Sequence, residues 1–126
     1  MKILISNTSN LPIYEQIIHQ IKDAVIAKEL REEELLPSIR SLARDLQISV
    51  ITTKRAYEEL EKEGLIYSVA GKGFYVAKQN TDMLKEKKIQ MLEGEMLRVV
   101  EEWKKAGLTK EELMDFLEVL FAEEEG

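Results

Sequence analysis

The chain has no cysteine, which rules out both a disulfide framework and thiolate metal ligation. Its single histidine, His19, falls between core-spaced positions of a helical segment. A solvated face is the expected role there, because a metal ligand would need clustered partners that the sequence does not supply. No apolar run approaches the ~18 residues of a membrane span, and the apolar start Ile3-Leu4-Ile5 is far too short for a signal peptide. The expectation is therefore a cytoplasmic protein with no membrane partner. No Gly-rich phosphate loop, nucleophile-base-acid set or metal-ligand cluster is present, so neither catalysis nor a cofactor is expected.

Positive charge is also scarce: the net charge is −6 and the isoelectric point lies near 5.0. Such a balance argues against nucleic acid as a partner, since phosphate contacts depend on basic side chains. Its distribution reverses the argument. Residues 1–80 are balanced, and the whole acidic excess falls in residues 81–126. Between residues 37 and 57, Arg40, Arg44, Lys54 and Arg55 stand against Asp45 alone, and residues 64–78 carry Lys72 and Lys78 with no acid. This basic face can hold phosphates at physiological salt if Glu29, Glu32, Glu33, Glu34, Glu58, Glu59, Glu61 and Glu63 lie away from it.

What is present is concentrated in residues 36–77, which pack two capped helices, a tight turn and a glycine-tipped hairpin into one stretch. Ser38, after Pro37, and Ser49 both sit where an N-cap belongs, because a side-chain oxygen there accepts an orphan N–H of the first turn. Ile39, Leu42, Ala43 and Leu46 recur at helical spacing, as do Ala56, Tyr57 and Leu60, giving each helix one apolar face. Only two residues separate Leu46 from Ser49, so the helices form a rigid elbow. Gly64 stops the second helix, and Leu65 to Val69 turns at Ala70-Gly71-Lys72-Gly73 into Phe74-Tyr75-Val76. That order predicts a winged helix-turn-helix, a DNA-reading module.

Earlier in the chain, Met1 to Ile5 is expected to form a short strand and residues 6–10 a polar turn. Pro12 then begins a helix with Tyr14, Ile17, Ile18, Ile21 and Val25 facing the core. A Glu-rich link at 32–34 leads to Pro37. After a boundary at Lys78-Gln79-Asn80, Ile89, Leu92, Met96, Val99 and Trp103 follow an alternating three- and four-residue spacing, the seam of a helix with one narrow buried face. Gly94 costs that helix about 1 kcal/mol relative to Ala, so either close packing requires the glycine or the helix bends there. Gly107 breaks it, and Thr109 with Glu112 forms a capping box for a last helix carrying Leu113, Phe116, Leu117, Leu120 and Phe121. Two such helices make an antiparallel hairpin too small to enclose its own core. Either a second copy covers its apolar faces, making Ile89, Leu92, Met96, Val99, Trp103, Leu113, Phe116, Leu117 and Leu120 a homodimer interface, or the hairpin folds back on the winged domain. The Trp103 ring is expected to pack in that seam.

The run Leu36-Pro37-Ser38-Ile39-Arg40-Ser41-Leu42-Ala43, the polar-opened segment Ser49 to Arg55, the run Ala56-Tyr57-Glu58-Glu59-Leu60-Glu61-Lys62-Glu63-Gly64-Leu65-Ile66 and the tip Gly71-Lys72-Gly73 together resemble the GntR family of bacterial transcription regulators. Leu11 to Ile17 is similar to the start of that family's first helix, so the resemblance covers residues 1–78, and the short tail at 79–126 looks like that of the YtrA-type subfamily. The resemblance implies a mostly α fold with a small β wing: a winged helix-turn-helix domain followed by a two-helix dimerisation hairpin. It implies a homodimeric repressor of its own operon or of transporter genes, bound to a pseudo-palindromic double-stranded operator. Carried over residue by residue, Ser49, Thr52 and Lys54 face DNA, with Arg40 at the start of the preceding helix.

The residue types agree with those roles. The first two turns of a recognition helix reach base edges, which adds Thr53. Arg40 joins a guanidinium fork to a helix N-terminus capped by Ser38, suited to a phosphate or a guanine. Arg44, one turn on, either contacts the duplex or pairs with a surface acid. Gly71 amides and Lys72 are left for the minor groove, because Ala70 stands where many relatives carry arginine. Val50 and Ile51 replace the basic or amide residue common after the opening serine. They offer only apolar contact, for instance to thymine methyls, or one of them packs inward. Gln47 stands at a turn position where glycine is common, so a left-handed backbone there would carry strain of about 1 kcal/mol.

Two other classes were open to the sequence. A winged scaffold that binds protein instead of DNA fits the acidic total and would show a neutral or negative potential over the Ser49 helix. An enzyme fragment fits those GntR relatives that continue into a pyridoxal-phosphate domain, but too little chain follows the wing for one here. A small-molecule effector, unidentified from these residues, would need a site across the dimer or between domain and tail.

Overall fold

A computed structural model describes residues 1–125. Its elements follow in the order α1 (Ile13–Ile26), α2 (Ile39–Leu46), α3 (Val50–Lys62), β1 (Ile66–Val69), β2 (Gly73–Val76), α4 (Thr81–Lys105) and α5 (Lys110–Glu125). The mostly α fold with a small β wing is thus as the sequence implied. The chain divides into two compact units, Met1–Leu84 and a second beginning at Lys85.

The first unit closes around α3. Ile17 and Ile21 of α1, Ala56, Tyr57 and Leu60 of α3, and Val76 of β2 are all essentially inaccessible to solvent. The Tyr57 hydroxyl donates to the Pro37 carbonyl at 2.7 Å, and its ring meets Phe74 edge-on with centroids 5.1 Å apart. Burial pushes that phenol well above its usual pKa, so it stays a neutral donor. One aromatic residue of α3 thereby ties the segment before α2 and the wing together.

Both serine caps form. Ser38 Oγ accepts from the Ser41 N–H at 3.0 Å, and Ser49 Oγ accepts from the Thr52 N–H at 3.0 Å. Between the helices Gln47 adopts φ 56°, ψ 46°, the left-handed conformation that glycine holds without strain. Its N–H and that of Ile48 close on the Arg44 and Ala43 carbonyls, so the turn is enforced by backbone bonds despite the side chain.

β1 and β2 pair antiparallel with Val69 opposite Gly73 and Ile66 opposite Val76. Gly71 at φ 77°, with the Lys72 N–H donating to the Val69 carbonyl at 2.9 Å, completes a turn whose third residue must have positive φ. The segment expected as a plain Glu-rich link runs beside β2 instead. The Glu33 N–H donates to the Val76 carbonyl at 2.7 Å, the Val76 N–H to Glu34 at 2.9 Å and the Leu36 N–H to Phe74 at 2.9 Å. The free edge of the wing is covered in this way, with charged side chains outermost.

Met1 to Ile5 forms no strand, contrary to expectation. Two α1 glutamines replace the missing ladder: Gln20 bonds both the N–H and the carbonyl of Leu4, at 2.8 and 2.7 Å, and Gln16 does the same for Ser6, at 2.8 and 3.0 Å. An amide side chain carries both N–H donors and a carbonyl acceptor, so it can pair with the N–H and carbonyl of one backbone residue as a strand would. Ile3 is seated against the core as a result.

In the second unit Thr109 and Glu112 form the reciprocal capping box: the Glu112 N–H donates to Thr109 Oγ1 at 3.1 Å, and the Thr109 N–H to Glu112 Oε1 at 3.2 Å. Trp103 donates its indole N–H to the Thr109 carbonyl at 2.8 Å and stacks on Phe116 with centroids 6.5 Å apart. No residue of α4 is buried. A Cβ on Gly94 would meet no other atom, so packing within this chain does not require that glycine.

Candidate nucleic-acid interface

The candidate site is assembled on the front ends of α2 and α3 and the tip of the wing. Cap geometry fixes where each helix begins: each serine oxygen accepts the N–H of the residue three further on, and helical phase then decides which side chains face outward. Arg40 is exposed in the first turn of α2 and has no hydrogen-bond or ion-pair partner among the described residues. Its guanidinium is thus available beside a helix N-terminus that favours anions. Arg44 is exposed one turn later and lies 4.0 Å from Asp45, a loose pair with both side chains mostly in water.

On α3, Ser49 Oγ also donates to Thr52 Oγ1 at 2.8 Å, so Ser49 and Thr52 form one polar unit at the helix tip. Lys54 is exposed and stands 3.7 Å from Glu58, one turn further on. Val50 and Ile51 both face solvent, which excludes inward packing for either. Gly71 and Lys72 are exposed at the wing tip.

Thr53 does not belong on this face. It is completely buried, and its Oγ1 donates to the Ser49 carbonyl at 3.1 Å. The reason is helical phase: Thr53 precedes Ala56, Tyr57 and Leu60 by three, four and seven residues, which sets it on the core stripe. That spacing was readable in the sequence, and the residue's polarity obscured it.

The acids are largely held elsewhere. Glu61 accepts from both the N–H and the hydroxyl of Ser68, at 2.7 and 2.8 Å, Glu63 lies 2.7 Å from Lys22, and Glu33 accepts from the Tyr67 hydroxyl. That hydrogen bond raises the Tyr67 pKa. Glu58 is the exception, because it sits beside Lys54 instead of away from the reader. An exposed pair of this kind is weak, so it leaves the Lys54 ammonium largely in water.

Sequence reasoning missed one contact. Arg55 lies over the Tyr14 ring, its guanidinium carbon 3.8 Å from the centroid, and donates to the Tyr14 hydroxyl at 3.2 Å. Charge counted toward the DNA face is therefore partly spent on fixing α3 to α1.

In the tail, Ile89, Leu92, Met96, Val99, Phe116 and Leu120 are between 39% and 51% exposed. Trp103, Leu113 and Leu117 are half-buried. A surface groove of about 290 Å³ is lined by Arg98, Val99, Glu102, Trp103, Ala106 and Leu108. Among the described residues no group of His, Asp or Glu is arranged to hold a metal, and no helix is long and apolar enough to cross a membrane.

Comparison with known proteins places these features in context. Residues 13–76 match the model of the bacterial regulatory proteins of the gntR family. The chain is 32% identical over 124 residues to the HTH-type transcriptional repressor YtrA of Bacillus subtilis (strain 168), covering 98% of this chain and 95% of that protein. A GntR family transcriptional regulator from Listeria monocytogenes superposes with a TM-score of 0.71 at 28% identity, covering 90% of this chain and 97% of the other. The AraR DNA-binding domain in complex with operator ORX1 superposes with a TM-score of 0.54 at 26% identity over 61% of this chain and 96% of the other.

Proposed function

The chain belongs to the GntR family of bacterial regulatory proteins, and from that premise we propose that it is a dimeric repressor reading a pseudo-palindromic operator in double-stranded DNA. It is a transcription regulator, not an enzyme. The observation that carries the finer reading is the exposure of Ser49 and Lys54, with half-buried Thr52 bonded to Ser49, at the front of α3, together with exposed Arg40 in the first turn of α2 and Lys72 at the tip of the wing. In a helix-turn-helix this end enters the major groove. Ser38 and Ser49 order the helix ends, Arg40 and Arg44 meet the backbone, Lys54 reaches a base or a phosphate, and the Gly71-Lys72 tip lies against the minor groove.

Residues 1–78 form the reader and residues 79–126 the dimerisation tail in this proposal. Support for the tail's role is chemical: six of its nine seam residues are more than a third exposed, and an apolar stripe on that scale is stable in water when a second copy covers it. Two-fold pairing presents two readers to half-sites separated by about one helical turn or a multiple of it. Repression follows the resemblance to the YtrA repressor, and action in the cytoplasm and control of its own operon or of transporter genes follow the family resemblance carried by the sequence motifs.

The experiment is to pass sheared genomic DNA over the purified protein, sequence what is retained, and weigh the protein by analytical ultracentrifugation. Inverted repeats and a dimer mass support the proposal. Unrelated fragments, or a monomer at the concentration that binds, refute it.

A further inference from the structure

The polar side chains at the front of α3 each have a partner within the protein, the exposed Lys54 only a loose one. Ser49 and Thr52 satisfy each other through two hydrogen bonds, at 3.0 and 2.8 Å. Thr53 is buried on the Ser49 carbonyl, Lys54 lies 3.7 Å from Glu58, and Arg55 is stacked on Tyr14. Among them Val50 and Ile51, the first two helical residues, are 48% and 80% exposed. Among the described residues Ile51 is the most exposed large apolar side chain, ahead of Leu4 at 69%. Nothing in the core uses it.

We propose that Ile51, flanked by Val50, determines specificity by reading the C5-methyl group of thymine in each operator half-site. The proposal rests on the assignment of α3 to the major groove. In that groove the one apolar feature offered by any base edge is the thymine methyl, while the other edges present N7, O6, O4 or amino groups. An isoleucine held against those polar groups would strip them of water and return no hydrogen bond. Against a methyl group it loses only water, which is favourable. The helix thus selects by fit and desolvation at one position, while Arg40 and Lys54 supply charge that is indifferent to sequence or directed at guanine.

The discriminating reagent is deoxyuridine, which keeps every hydrogen-bonding group of thymine and lacks only the methyl. Duplexes would first be enriched from a randomised pool by the full-length protein, and each thymine of the enriched half-site replaced by deoxyuridine in turn. At one or two positions the native protein should lose about three- to fivefold in affinity, the worth of one buried methyl. Ile51→Ser should bind thymine and deoxyuridine duplexes equally, and Ile51→Leu should keep the difference. Because Ile51 lies on the surface, both variants should unfold at the native temperature, a control measured alongside. A native protein indifferent to every deoxyuridine replacement, or an Ile51→Ser protein with the native sensitivity, overturns the proposal and leaves the DNA-reading assignment standing. Failure to enrich any duplex overturns both.

Discussion

The two units handle apolar side chains in opposite ways. The winged unit encloses them: Ile17, Ile21, Tyr57, Leu60 and Val76 are sealed among three helices and a hairpin. The tail displays them, since α4 has no buried residue and carries Leu92, Met96 and Leu97 at 48%, 47% and 67% exposure. Both regions are helical and both follow helical apolar spacing, so periodicity alone does not separate an enclosed core from an exposed stripe. What separates them is whether enough chain surrounds the stripe to cover it. The winged unit supplies its own cover through the elbow at Gln47 and the wing, and a two-helix tail lacks the mass to do so.

The sharpest way to break this contrast is to cut one large side chain from each region. Leu60→Ala should lower unfolding free energy by about 2–5 kcal/mol, because the cavity opens at the junction of α1, α3 and the wing. Urea unfolding checks this, and a cost below that range would mean the core is less closed than described. Placing charge on the tail with Leu92→Glu and Phe116→Glu should instead yield monomers by sedimentation. Operator affinity should then fall about a hundredfold or more as the second reader is lost, with the winged unit still folded by circular dichroism.

Smaller effects refine the account of the reader. Ser49→Ala removes the acceptor of the Thr52 N–H and should cost about 1 kcal/mol of stability, measured by the same urea titration. Gln47→Gly relieves the left-handed residue at the elbow and should add about 0.5–1 kcal/mol, a sign opposite to that of most substitutions. Destabilisation by that change would show that the Gln47 side chain contributes a contact outweighing its backbone strain.

Most of this architecture was legible because short-range signals agreed. Ser38, Ser49 and the Thr109–Glu112 box mark helix starts through local hydrogen bonds, and Gly71 marks the wing turn through its backbone sign. Less legible were contacts made by residues of the wrong apparent type. Glu33 and Glu34 pair with β2 through backbone groups that their acidic side chains do not advertise. Gln16 and Gln20 clamp the N-terminal segment with amides, where a strand was expected from the apolar run Ile3-Leu4-Ile5. At the site, the outward placing of Arg40 and Lys54 followed from helix phase. The same phase assigns Thr53 to the core, and the Arg55 stack on Tyr14 joins residues 41 apart that no local pattern connects.

On the proposed function, the acidic chain meets DNA through the small basic face at the front of α2 and α3. Titrating the intact protein and its Arg40→Ala and Lys54→Ala variants against one retained genomic fragment, at two salt concentrations, tests it most directly. Each variant should lose affinity, by about 1–3 kcal/mol where a base contact is removed, and a lost phosphate contact should lower the salt slope by about one. Variants that bind as tightly as the native protein, with the same salt dependence, would contradict it.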